Sequence, residues 1–156
     1  VEQVNQLYVA VDPGPHTGFA WAETSNGVVH RVNADQAKSE SFEDWLNNTL
    51  EAWGPLTILI VERFTISMRT IKSSTAGSLE ALGVIGVCRY LARIHGVEPM
   101  SLQAPSDVMN LFTDSRLKTL GYHTKGKGHA NDAMRHLCYR LAKDKLIRLG
   151  DHGCSE

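Results

Sequence analysis

Two short apolar runs along this chain each stop at an acid. Leu7-Tyr8-Val9-Ala10-Val11 ends at Asp12, and Ile58-Leu59-Ile60-Val61 ends at Glu62. Neither run alternates with polar residues, which is the pattern of strands covered on both faces. Residues 6–12 and 57–61 are therefore predicted as buried strands. Residues 13–18, Pro-Gly-Pro-His-Thr-Gly, read as a turn. Residues 18–24 and 27–33 alternate well enough for two further strands. Asn26-Gly27 between them is a strong hairpin signal.

The period then changes to that of helices. Ser41 is predicted to cap a helix running to Trp53, with Glu43 and Asp44 in its first turn, where the helix dipole favours anions. Phe42, Trp45, Leu46 and Leu50 form its apolar stripe, and Gly54-Pro55 stops it. Residues 63–76 are polar and read as a loop carrying Arg63, Arg69, Lys72 and Ser73-Ser74-Thr75. A helix over 77–95 follows, apolar on most sides and interrupted by Gly83 and Gly86. Each glycine costs such a helix on the order of 1 kcal/mol against alanine, so close backbone packing is expected in return. A helix this apolar belongs in a core or a subunit interface.

Downstream, a short strand is predicted near 97–102 and a short helix over 105–112. Residues 121–128 form a basic glycine-rich loop, and a final helix runs from His129 to Ile147. A hairpin followed by alternating helices and strands gives an α/β fold, a mixed sheet flanked by helices. Sites in such sheets collect at the carboxyl ends of strands, where Asp12 and Glu62 fall.

The chain has 156 residues, and 42% hydrophobic and 21% charged content suit one globular domain over 1–156. No apolar stretch is long enough to span a bilayer. The N-terminal residues show no secretory signal pattern. Cys88, Cys138 and Cys154 have no C-x-x-C spacing, which fits a reducing cytoplasm. The net charge of −1 hides an asymmetry: residues 1–62 carry −7 and residues 63–150 carry +8. The basic part is either a phosphate-binding face or a solvated one.

Asp12, Glu62 and Asp132, brought together, would repel by several kcal/mol at an effective dielectric of about 20. A hard divalent cation relieves that repulsion, and all-oxygen ligation points to Mg2+ or Mn2+ rather than zinc. Two such ions roughly 4 Å apart could align an attacking water with a leaving 3′ oxygen. Taken singly, each acid could equally cap a loop or face water. His129 precedes Asp132 by three residues, so both share a helix face and could address one metal or water. His123, Lys125 and Lys127 suit a phosphate-gripping loop, or a plain soluble turn. Phe64, after Glu62, could wedge between bases or fold back onto the core. Trp21, Trp45 and Trp53 read as packing residues.

Three segments together resemble the RuvC family of Holliday-junction resolvases, within the RNase H-like superfamily. They are Val11-Asp12-Pro13-Gly14-Pro15-His16-Thr17-Gly18, Ile60-Val61-Glu62-Arg63-Phe64, and His129-Ala130-Asn131-Asp132-Ala133. Leu82-Gly83-Val84-Ile85-Gly86-Val87 looks like that family's dimer-forming helix. The resemblance implies an RNase H-like five-stranded mixed sheet and a homodimer, formed through the 77–95 helix, that binds four-way DNA junctions. It implies nicks leaving 5′ phosphate and 3′ hydroxyl ends. Asp12, Glu62 and Asp132 would ligate Mg2+, two ions per site, with Mn2+ able to substitute, and His129 would position water or phosphate. Arg63, Phe64, Arg69, Lys72, Lys118, Lys125 and Lys127 would contact DNA. The chain is compact and 103–128 matches poorly, which implies relaxed selectivity toward flaps and forks, as in phage-borne relatives.

Three other readings compete. An RNA-cutting enzyme would use the same metal site. A catalytically silent junction binder would share the basic surface. A sugar kinase or actin-like ATPase also ends its first strand in an Asp-x-Gly turn, but needs two such domains.

Overall fold

The computed structural model describes residues 5–66, 76–97 and 99–148. Arg69, Lys72 and the Ser73-Ser74-Thr75 cluster lie outside the described residues. The strands are β1 (Asn5–Asp12), β2 (His16–Ser25), β3 (Val28–Lys38), β4 (Thr57–Glu62) and β5 (Ser101–Gln103). The helices are α1 (Ser39–Trp53), α2 (Ala76–Ile94), α3 (Pro105–Met109), α4 (Asp114–Thr119) and α5 (Gly128–Lys143), with a 3-10 turn at Gly54–Leu56.

The five strands form one sheet in the order β3-β2-β1-β4-β5. β1 pairs antiparallel with β2 and parallel with β4, with Val11 opposite Val61. The mixed sheet expected from the sequence is present, and β1 and β4 are neighbours. β2 and β3 meet in the predicted hairpin, where Asn26 and Gly27 both take positive φ, 52° and 75°. That is the backbone a two-residue turn of this hand requires.

Alternation along the strands sends side chains into two cores. Leu7, Val9, Val11, Leu59 and Val61 face α1 and α2, where they meet Phe42, Leu46, Leu50, Val84, Cys88 and Leu91. Tyr8, Ala10, Ala20, Ala22 and Ile60 face α5, where they meet Ala133, Met134, Leu137, Cys138 and Leu141. Each fully buried leucine of this kind contributes about 1.5–3 kcal/mol. The three tryptophans pack at the edge of the first core, as expected. Cys88 and Cys138 are buried and unpaired.

Several boundaries differ from the sequence reading. The β2–β3 ladder continues to the pair His16–Lys38, so the predicted 13–18 turn is shorter and both strands are longer. Most of β3 is only half-buried, and an edge strand of that kind gives little alternation to read. α1 begins at Ser39 rather than after Ser41, and its N-cap, Lys38, supplies no side-chain cap. The Ser39 hydroxyl instead donates to Glu80 Oε1 on α2, at 2.8 Å. α4 was not anticipated, although Thr113 caps it through Oγ1, which accepts from the Arg116 amide at 3.3 Å. α5 ends at Lys143, short of Ile147.

α2 covers the predicted helix, but only one side of it is core. Leu79 is 68% exposed, Tyr90 55% and Ile94 51%. A Cβ added at Gly83 or Gly86 would meet nothing within 4 Å. The close packing expected at these glycines is therefore not made within the described residues of this chain. No helix among the described residues is long and apolar enough to cross a membrane.

Candidate functional site

Strand parity places the two strand-end acids. Asp12 follows Tyr8 and Ala10 on the face of β1 that looks toward α5, and Glu62 follows Ile60 on the same face of β4. Because β1 and β4 are parallel neighbours, both carboxylates leave the sheet at one end and on one side. The first turns of α5 cross above them and supply His129 and Asp132. Gly18, Ala20 and Ala22, alternating with Phe19 and Trp21 on β2, give the helix a small-residue bed.

A cleft of about 130 Å³ opens there. Asp12, Glu62, Asp132, Arg135 and His136 line it on one side, and Pro105, Val108 and Met109 form an apolar wall. Ligand atoms of Asp12, His129 and Asp132 lie within 4.8 Å of one another. His129 Nδ1 is 2.9 Å from Asp12 Oδ2. When Asp12 is ionised, Nδ1–H donates and Nε2 keeps the lone pair.

Glu62 shares the cleft but is not part of that close trio. Its Oε2 is 2.8 Å from Nε2 of His136, and Nδ1 of the same ring is 2.9 Å from Gln103 Oε1. Asp132 pairs with Arg135, whose guanidinium also pairs with Asp114 and donates from Nε to the Phe112 carbonyl at 2.9 Å.

The charge balance of the cleft is unfavourable to its acids. Burial pushes the Asp12 carboxyl up to about 6, the neighbouring Glu62 and Asp132 push the same way, and the His129 hydrogen bond opposes them. Burial also raises Asp132, with Glu62 adding to the shift and Arg135, His129 and His136 opposing it. Acids that converge in a cleft with too little compensating charge fit a divalent cation. Asp12 and Asp132 would hold it, with His129 and Glu62 alongside, and the oxygen-rich set suits Mg2+ or Mn2+.

The basic residues are dispersed around this centre. Arg63 is exposed just past β4, and its amide extends the β4–β5 pairing to the Gln103 carbonyl at 2.7 Å. Phe64 is half-buried and, among the described residues, joins neither core. Lys118 and Lys125 are exposed. Lys127 is partly exposed and pairs with Asp35 Oδ1 on β3 at 2.5 Å. Asn131 closes the 121–128 loop. Its Oδ1 accepts from the Thr124 amide at 2.8 Å, and its Nδ2 donates to the Thr124 carbonyl at 2.9 Å.

Sequence reasoning missed four residues of this neighbourhood: Gln103, Asn131, Arg135 and His136. Arg135 read as part of a solvated helix face, yet its side chain is only 12% exposed. His136 was legible in principle, since it stands four residues after Asp132 and seven after His129 on one helix face. Gln103 sits on a three-residue strand with no periodicity to mark it.

No family model matches this chain, and no curated protein matches it in sequence. Solved structures are similar in fold. One is T. thermophilus RuvC in complex with a Holliday junction substrate. The identity is 12% and the TM-score 0.58, over 90% of this chain and 96% of that one. Another is the Fowlpox virus resolvase in complex with Holliday junction DNA. Here the identity is again 12% and the TM-score 0.52, over 87% of this chain and 99% of that one. The chain thus has the RNase H-like fold of RuvC-like resolvases, as its three motifs implied.

Proposed function

We propose that this chain is a structure-selective endodeoxyribonuclease that nicks four-way junctions and other branched DNA. The observation that carries the reading is the convergence of Asp12, Glu62 and Asp132, from three separate elements, in one cleft. The fold shared with two resolvases seen with junction DNA supports the substrate class.

Asp12, Asp132 and Glu62 would hold the divalent cations, Mg2+ by preference, two per site. Bound there, such ions would supply a water that is nucleophilic near neutral pH and positive charge to offset that of the phosphate. His129, anchored by Nδ1 to Asp12, offers Nε2 to take the proton of the attacking water. Water adds to phosphorus as the bond to the 3′ oxygen breaks, and that oxygen takes a proton from solvent, leaving 5′ phosphate and 3′ hydroxyl ends. Arg63, Lys118 and Lys125 grip backbone phosphates, and the wall of Pro105, Val108 and Met109 limits water at the cleft. Lys127 and Phe64 extend the DNA surface, and Arg69 and Lys72, outside the described residues, are proposed DNA contacts on the sequence resemblance alone.

A second copy of the chain covers the outer face of α2. Leu79, Gly83, Gly86 and Tyr90 recur there at helical spacing, two of them large and exposed.

The test is nicking of four-way, three-way, flap and linear duplex DNA, beside an RNA–DNA hybrid, with Mg2+. Branched DNA should be cut and linear duplex spared. Asp12→Asn should bind and not cut. Cleavage of the hybrid alone would assign the site to RNA. No cleavage of any substrate with Mg2+ or Mn2+ would leave a junction binder without activity.

A further inference from the structure

We infer that His136, backed by Gln103, is a positioning residue that holds Glu62 in its cation-binding orientation. The inference rests on the metal-dependent reading above and goes beyond it. His136 is the fully buried member of the α5 face that also carries His129 and Asp132. A buried imidazole needs partners for both ring nitrogens. His136 has two, and one is the carboxylate of Glu62 at 2.8 Å. The other is Gln103, itself 6% exposed, at 2.9 Å.

This chain of contacts has a direction. Gln103 is fixed at the end of β5, where its carbonyl accepts from the Arg63 amide. Its side-chain amide lies 2.9 Å from Nδ1 and so fixes the ring's orientation. Nε2–H then donates to Glu62 Oε2. With that oxygen fixed, Glu62 has Oε1 to present to a ligand in the cleft. A glutamate has three rotatable bonds, and holding one oxygen removes much of that freedom before a cation arrives. Partners of this kind, one bond behind a metal ligand, typically alter metal affinity by about 10–100-fold when removed.

The experiment compares wild type, His136→Leu, His136→Gln, Glu62→Gln and the His136→Leu/Glu62→Gln double variant. Mn2+ affinity is measured by calorimetry, and folding by circular dichroism and thermal melting. His136→Leu fills the space without a donor, and His136→Gln restores an N–H. The expected result is a loss of at least about tenfold in Mn2+ affinity for His136→Leu, with most of it recovered in His136→Gln. The double variant should bind no worse than Glu62→Gln alone, because the residue acts through Glu62.

A folded His136→Leu with wild-type Mn2+ affinity overturns the inference, as does a folded His136→Gln no better than leucine. Should His136→Leu fail to fold, Gln103→Met carries the test, and wild-type Mn2+ affinity there is equally fatal. Failure of wild type itself to bind Mn2+ or nick DNA would instead remove the proposed function.

Discussion

Gly18 lies directly beneath the backbone of His129. A Cβ at residue 18 would sit 1.9 Å from the His129 carbonyl oxygen and 2.2 Å from its carbon. This contact joins the first sequence motif to the last, since Gly18, in β2 and paired with Asp12, closes the first motif, and His129 opens the helix segment bearing Asp132. The Gln36 side chain holds the same helix end, accepting from the Ala130 amide at 3.4 Å.

Gly18→Ala should therefore lift the start of α5 away from the sheet. The obstacle is backbone, which cannot rotate aside like a side chain. Overpacking in a core typically costs about 1–3 kcal/mol, and a backbone clash lies at or above the top of that range. The His129–Asp12 contact should be lost with it. Urea denaturation should show the lower midpoint, and Mn2+ affinity should fall in parallel. Wild-type values for both would mean that the helix does not rest on this glycine.

Asp12 gives a pH prediction. Its folded carboxyl titrates at about 6, against an ordinary 3.8, mainly because of burial. A raised value means that the protonated form is the one the fold favours. The stabilisation is fully present below pH 3.8 and is lost as pH rises through 6. At pH 8, in EDTA, Asp12 is thus ionised at a cost to the fold of at most about 3 kcal/mol. Asp12→Asn resembles the protonated form, so it should melt above wild type at pH 8, and the difference should vanish near pH 4. Added Mg2+ should raise the wild-type melting temperature at pH 8 and leave Asp12→Asn nearly unmoved. A metal-free Asp12→Asn that melts below wild type at pH 8 contradicts this account of the site.

The basic loop separates two lysines that look alike in sequence. Lys125 is exposed, whereas Lys127 spends its charge on Asp35. If backbone phosphates dominate binding, affinity falls linearly in log–log terms with salt, and each lost contact lowers the slope by about 1. Lys125→Ala should weaken branched-DNA binding and reduce that slope. Lys127→Ala should do less, and Asp35→Asn should strengthen binding by freeing a cation. Titrations at several salt concentrations decide the matter, and equal effects from the two lysines would count against the pairing.

What could be read in advance follows from the range of each interaction. Asp12 and Glu62 were legible because an unbroken apolar run marks a buried strand, and its last residue sits at the strand's end. The hairpin was legible because only a few dipeptides suit its backbone. The Lys127–Asp35 pair joins residues 92 apart, and no local pattern encodes such a partner. Glu62 was read as a ligand beside Asp12 and Asp132, and its contact with His136 depends on α5 crossing β4, which only the fold supplies. The strand predicted near 97–102 is β5 at Ser101–Gln103, whereas a piece as short as α4 carries too few residues for a helical period to register.

Arg135 supplies the last prediction. Its guanidinium ties three groups together: Asp132 on α5, Asp114 at the start of α4, and the carbonyl of Phe112. Phe112 is 1% exposed and anchors the segment whose α3 residues wall the cleft. Both acids keep substantial access to water, with side chains 42% and 58% exposed, so their ion pairs are screened and weak. The part-buried bond to the Phe112 carbonyl should matter more, because leaving such a group unpaired costs about 1–3 kcal/mol. Arg135→Lys keeps the charge and loses the planar fork, so it cannot satisfy all three groups at once. It should lower the unfolding free energy by about 1–2 kcal/mol in urea, whereas Asp114→Ala should cost less than about 1 kcal/mol. If Asp114→Ala costs as much as Arg135→Lys, the ion pair rather than the carbonyl bond holds the wall in place.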